Sequence, residues 1–206
     1  MNENDTNDVL SKLFASTAIV FRDRDLKCNS DSSLNKLISY DIPNYLASKL
    51  KEDNRNAEDY NIKGVPGLCG TWCNVMYIAF LPNNNKPMRI SASYGAYPCY
   101  LFSRTGDKIF LAYILGTGIK TERYLINSSE LIANKFALPG FDTDKSQLNP
   151  IDDRHRYKYG TIFYKEYNLS DMPNDVTLLD DLYKLIDYHN KHRNEIAQML
   201  KLQHGY

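Results

Sequence analysis

The stretch SYGAYPCYLFSRTGDKIFLAYILGTG, residues 93–118, decides the fold. It holds two short runs rich in aromatic and β-branched residues, YPCYLF (97–102) and KIFLAYIL (108–115), which read as strands. Between them lies SRTGD, where Gly106 can take the left-handed conformation of a tight turn, so the pair reads as an antiparallel hairpin. Working outward, VMYIAFL (75–81) is a further strand, set off by the turn PNNNKP, and RYLIN (123–127) is another candidate. YGTIFYKEY supplies one more strand or extended segment after the long loop LPGFDTDKSQLNPIDDR.

Helical spacing flanks this region on both sides. Val9, Leu10, Leu13, Phe14, Thr17 and Phe21 recur at helical period, and Leu34, Leu37 and Ile38 mark a second helix. A third starts at Asp41-Ile42-Pro43, a capping Asp with proline in the first turn, and carries Tyr45, Leu46 and Leu50 inward. A helical piece is expected near Ser128 to Phe136. At the C-terminus Asn174 or Asp175 caps a helix whose Leu178, Leu179, Leu182, Leu185 and Ile186 form one apolar stripe, continued by Ile196 and Leu200. The fold class is therefore α+β: a twisted, mostly antiparallel β-sheet core flanked by N-terminal and C-terminal helices. Residues 1–59 read as a helical segment packing on a main domain of residues 60–206.

Composition removes several classes of function. The 206 residues include 25 Lys+Arg and 25 Asp+Glu, and the net charge of zero argues against a surface wholly committed to phosphate. That zero is uneven: residues 61–124 hold seven basic and two acidic side chains, a net of +5 against −5 elsewhere. A basic β region carrying some of the 16 Tyr and 8 Phe suits nucleic acid, because phosphates give affinity and rings stack on bases. Solvated strand edges guarded by Lys and Arg would look the same. No apolar run approaches the roughly 18 residues of a membrane span, and MNENDTNDVL lacks the features of a signal peptide, so the chain reads as cytoplasmic. In that compartment Cys28, Cys69, Cys73 and Cys99 read as thiols. Cys69 and Cys73 have no nearby pair of further ligands to make a zinc site.

Catalytic motifs are weak. GTGIKT (116–121) lacks the GxxxxGK[ST] spacing of a phosphate loop, and the GxSxG elbow is absent. Asp152, Asp153 and His155 could form a metal or nuclease site, and so could His189 with His192, but both sets read as solvated polar residues. No cofactor is implied.

What stands out is a linked series: GVPGLCGTWCNVMYIAFLP, then the 93–118 hairpin, then YKYGTIFYKEYNLSDMPNDVTLLDDLYKLIDYH. The series resembles the N-terminal DNA-recognition domain of McrB-type, modification-dependent restriction systems, over roughly residues 60–192. Gly70-Thr71-Trp72, the strand Val75 to Phe80, the strand Tyr97 to Phe102, and Tyr159-Gly160 with Lys165 and Tyr167 fill the family's blocks in order. The resemblance implies a non-enzymatic module that binds duplex DNA and holds an extruded, methylated cytosine in an aromatic and aliphatic pocket. It places Tyr77, Tyr97 and Leu101 in that pocket and implies, as partners, a GTPase motor domain and a McrC-type nuclease subunit.

Two departures matter. Tyr77 stands where the family has a larger ring, and Cys69 stands where some relatives carry a tyrosine suited to filling the vacated stack, leaving Leu68 or another loop residue as the wedge. Arg89, Arg104 and Lys108 are phosphate-contact candidates on charge and turn position. Two other readings stand beside this one: a small metal-dependent nuclease using Asp152, Asp153 and His155, and a tyrosine-rich scaffold for another protein.

Overall fold

The computed structural model describes residues 8–21, 32–55, 57–68, 71–83, 92–118, 120–148 and 156–202. Its centre is a five-stranded antiparallel sheet in which sequence order is also spatial order: β1 (Tyr60–Leu68), β2 (Thr71–Pro82), β3 (Ala96–Phe102), β4 (Lys108–Leu115) and β5 (Thr161–Asn168). Around it lie α1 (Val9–Phe21), α2 (Ser33–Lys36), α3 (Ile42–Glu52), α4 (Glu122–Lys135), α5 (Arg156–Gly160) and α6 (Asp175–Leu202). The architecture is the expected one, with helices before and after the sheet. No helix among the described residues is long and apolar enough to cross a membrane.

The strands have two unlike faces because side chains alternate along them. Met76, Ile78 and Phe80 of β2, Tyr100 and Phe102 of β3, and Ile109, Leu111 and Tyr113 of β4 join Leu10, Phe14, Ile38, Leu46, Leu182 and Ile186 in one large core. That face is covered by the N-terminal helices and α6. The opposite face carries a smaller cluster: Val75, Ala79, Tyr97, Cys99, Leu101, Phe110, Ala112, Ile114 and Tyr164, with Leu148 over it. The β3–β4 hairpin forms as expected, with Gly106 at φ +69°.

Four local readings change. RYLIN is helical: α4 begins at Glu122, where the Thr121 side chain accepts from the Tyr124 N–H, and Leu125, Ser128, Ser129 and Ile132 are buried at helical spacing. Three- and four-residue intervals outweigh the strand propensity of that short run. Residues 60–68 form a strand of their own, bulged between Val65 and Gly67 where Pro66 interrupts the ladder with β2. Asp41 caps nothing, since α2 runs through a π-helical stretch at Leu37–Asp41 directly into α3. Gly64 of β1 explains the tight fit there, because a Cβ on it would overlap the Ile38 carbonyl oxygen. His189 is also not a solvated polar residue; it is fully buried, 3.0 Å from the Tyr113 hydroxyl through Nδ1.

Helix ends are joined through acidic residues. Asn174 caps α6 by accepting from the Thr177 N–H, at 3.0 Å. Asp175 instead accepts from the backbone N–H groups of Leu10 (2.9 Å) and Ser11 (2.8 Å) at the start of α1. In return Asp8 accepts from the Asp175 N–H at 3.1 Å, so each helix start is satisfied by the other's carboxylate. Lys165 and Tyr167 of β5 both donate to buried Asp181 of α6, at 2.6 and 2.9 Å, which fastens the last strand to the closing helix.

Candidate functional site

The three residues singled out for a pocket all lie on the sheet face away from the helices. Tyr77 of β2 and Leu101 of β3 are direct cross-strand partners. Tyr97 shares the face of Leu101 four residues back along β3, about 13 Å at strand rise, with Cys99 between them. Cys99 is paired with Ala79 on one side and Ala112 on the other, so the floor between the large side chains is made of small ones.

Burial separates the three. Leu101 and Tyr97 are 1% and 2% exposed, whereas Tyr77 is only half-buried. Tyr97 donates its hydroxyl to the Ala92 carbonyl at 3.2 Å and so ties the chain entering β3 to the sheet face. Burial holds both phenols protonated: the Tyr97 hydroxyl is raised well above the ordinary tyrosine value and that of Tyr77 is pushed up to about 12. Both are hydrogen-bond donors at any physiological pH.

A fourth ring belongs to this cluster. Tyr157 of α5 faces Tyr77 with ring centroids 6.2 Å apart and planes inclined by 43°. Two stacking distances of about 3.4 Å give roughly 7 Å for a flat base held between parallel rings. At 6.2 Å and 43° Tyr77 and Tyr157 are in direct aromatic contact, and a base between them would need the planes brought parallel. In the YKYG block the family resemblance rests on Tyr159 and Gly160, and Tyr157 carries no signal of its own. Tyr157 lies four residues before β5, and the α5 turn brings it over β2.

The outlying candidates fall elsewhere. Leu68 ends β1, beside Thr71 in the β1–β2 register, and Arg104 sits in the β3–β4 turn at the same end of the sheet. Lys108 is ion-paired with Glu166 of β5 at 2.7 Å. Cys69, Arg89 and the set Asp152, Asp153 and His155 lie outside the described residues. His192, the partner once drawn for His189, packs its ring on Phe136 and Tyr188, at 4.9 and 4.8 Å. Among the described residues no group of three or more His, Cys, Asp or Glu could hold a metal ion.

The GTGIKT turn is used structurally. The Arg156 guanidinium donates to the carbonyls of Thr117 and Gly118 and, at 3.2 Å, of Lys120. A phosphate cradle would need N–H groups converging on the ligand, whereas here the carbonyls converge on a cation.

A family model described as MrcB-like, N-terminal domain, matches residues 21–194. Among curated proteins none matches the chain.

Proposed function

The chain belongs to the MrcB-like N-terminal domain family, and on that footing we propose that it is a duplex-DNA-binding module of a restriction system that reads a modified cytosine extruded from the helix. The observation that carries this reading is the arrangement of Tyr77, Tyr157 and Leu101 on the sheet face opposite the helix-packed core. Extrusion of a base costs a few kcal/mol. Stacking on an aromatic ring returns about 1–3 kcal/mol, and two rings on either side of the base offset most of the cost. Rotation of Tyr157 toward parallel with Tyr77 would open the slot, and the same movement would have to uncover Leu101, buried opposite Tyr77, for its aliphatic side chain to meet a 5-methyl group. Burying one methyl in such a place discriminates by about 1–3 kcal/mol, or 10- to 200-fold.

In this reading Tyr97 is a supporting residue, because its hydroxyl is engaged with the Ala92 carbonyl. Phosphate contact falls to Arg104 and Lys108 near one end of the sheet. The module carries no chemistry of its own; cleavage and GTP hydrolysis belong to a motor domain and a McrC-type nuclease with which it would assemble.

Fluorescence anisotropy on matched duplexes bearing cytosine, 5-methylcytosine and 5-hydroxymethylcytosine tests the proposal. Wild type should prefer a modified duplex by 10-fold or more, and Tyr77→Ala or Leu101→Ala should flatten the preference while the fold persists by circular dichroism. Equal affinity of wild type for all three duplexes would overturn modified-base reading.

A further inference from the structure

A second surface lies at the end of the sheet where the chain enters β3 and leaves β4. The two segments are held backbone to backbone. Gly116 donates its N–H to the Gly95 carbonyl at 2.7 Å, and a Cβ on Gly116 would overlap the Tyr94 backbone. A Cβ on Gly118 would come within 2.9 Å of the Ser93 carbonyl oxygen. Arg156 braces the carbonyls of residues 117, 118 and 120 from behind, and the Tyr97 hydroxyl holds Ala92.

On this fixed support Tyr94 is 55% exposed. The Lys120 ammonium lies 4.7 Å from the centre of the Tyr94 ring and 4.9 Å from that of Tyr124. Arg123, exposed in the first turn of α4, adds a second cation. Glu122, the acidic residue between them, is engaged by the Tyr159 hydroxyl. The result is a preset aromatic and cationic surface within the stretch of chain that carries the net +5.

We infer that Tyr94, Lys120 and Tyr124 form a second DNA contact, which grips the sugar-phosphate backbone beside the extruded base without reading its modification. This rests on the DNA-binding reading above. A polyanion fits the surface better than a protein does, because the Lys120 ammonium is already positioned by two rings beside the exposed Arg123, and rings next to cations suit a sugar-phosphate backbone. Partial burial lowers the Lys120 pKa, a cost that a phosphate at the ammonium would offset. The reach is bounded too. Tyr94 is seven residues from Leu101, at most about 23 Å along the strand, or about seven base-pair steps of 3.4 Å.

The test is equilibrium binding of Tyr94→Ala, Tyr94→Phe and Lys120→Met to modified and unmodified duplexes over a salt series, with Tyr77→Ala alongside. Tyr94→Ala and Lys120→Met should weaken both duplexes by the same severalfold factor. Lys120→Met should also reduce the slope of log affinity against log salt by about one, and Tyr94→Phe should bind as wild type. Wild-type affinity and slope in both variants would overturn this contact while leaving the Tyr77 pocket standing. A loss confined to the modified duplex would also overturn it, by placing Tyr94 in modification reading. If Tyr77→Ala leaves discrimination intact while Lys120→Met lowers affinity, the pocket fails and the backbone contact stands. Absence of any duplex binding by wild type at low salt overturns both.

Discussion

Asp175 receives the Tyr45 hydroxyl at 2.7 Å, so one carboxylate at the start of α6 joins α3 as well as the first turn of α1. The contact raises the Tyr45 pKa above the ordinary value, after burial as the larger cause. Two early chain segments, each more than a hundred residues from α6, thus meet it at one buried side chain.

Asp175→Ala should therefore destabilise the fold by about 2–4 kcal/mol, since it strands two helix N–H groups and a hydroxyl. Tyr45→Phe removes one of the three bonds and should cost about 1 kcal/mol. Urea unfolding of both variants checks the ranking, and equal effects would show that the α1 cap contributes nothing.

Gly64→Ala should be among the most damaging single-methyl changes available. The added carbon meets the Ile38 carbonyl oxygen, a backbone atom that cannot rotate away, so either β1 or the π-helical stretch must move. A loss of about 2–4 kcal/mol is expected, against well under 1 kcal/mol for a surface change. Thermal melting of the variant decides it.

Lys145 should leave a signature in the alkaline range. Burial brings its ammonium from 10.5 down to about 8, while Nζ donates to Ser129 Oγ and, at 3.1 Å, to the Tyr159 carbonyl. Between about pH 8 and 10 the unfolded chain then binds a proton that the folded one does not, so this group makes stability rise with pH across that window. The stability of wild type relative to Lys145→Met should increase from pH 7.5 to pH 9.5 in urea titrations. A difference independent of pH would refute the assignment.

Lys108 offers a test by release. Its partner Glu166 lies 2.7 Å away, which restrains the ammonium on the sheet. If Lys108 meets phosphate, Glu166→Gln should tighten duplex binding severalfold at low salt and steepen the salt dependence. Unchanged binding would confine Lys108 to joining β4 and β5.

Much of this was legible in the chain. Aromatic and β-branched runs in VMYIAFL, YPCYLF and KIFLAYIL marked three of the five strands to within a few residues, YGTIFYKEY marked a fourth strand or extended segment, and the 3-4 spacing of Leu178, Leu182, Leu185 and Ile186 marked α6. The misread segments share a cause: their local signal is short, and tertiary contacts outweigh it. RYLIN has strand propensity, but Thr121 caps it into a helix that buries Leu125. YNIKGVPGL is broken by two glycines and a proline, yet pairs along β2 because Gly64 lets the π-helical stretch approach. At the candidate site, Tyr97 and Leu101 could be placed on one face by parity alone. That Tyr77 stands across from Leu101 needed the β2–β3 register, and Tyr157 needed the α5 turn to bring it over β2.

Parity along the central strands has a consequence for engineering. Odd positions of β2 and β3 and even positions of β4 belong to the small cluster, while the alternate positions belong to the helix-covered core. If the proposed pocket holds, a library meant to alter recognition can be confined to Tyr77, Ala79, Cys99, Leu101 and Ala112 with the helix-packed side chains untouched. A one-residue insertion in β3 would do the reverse, exchanging Tyr100 and Phe102 for Tyr97 and Leu101 and erasing both faces at once. In this sheet substitutions are the permissive route to new specificity, and length changes within the strands are closed to it.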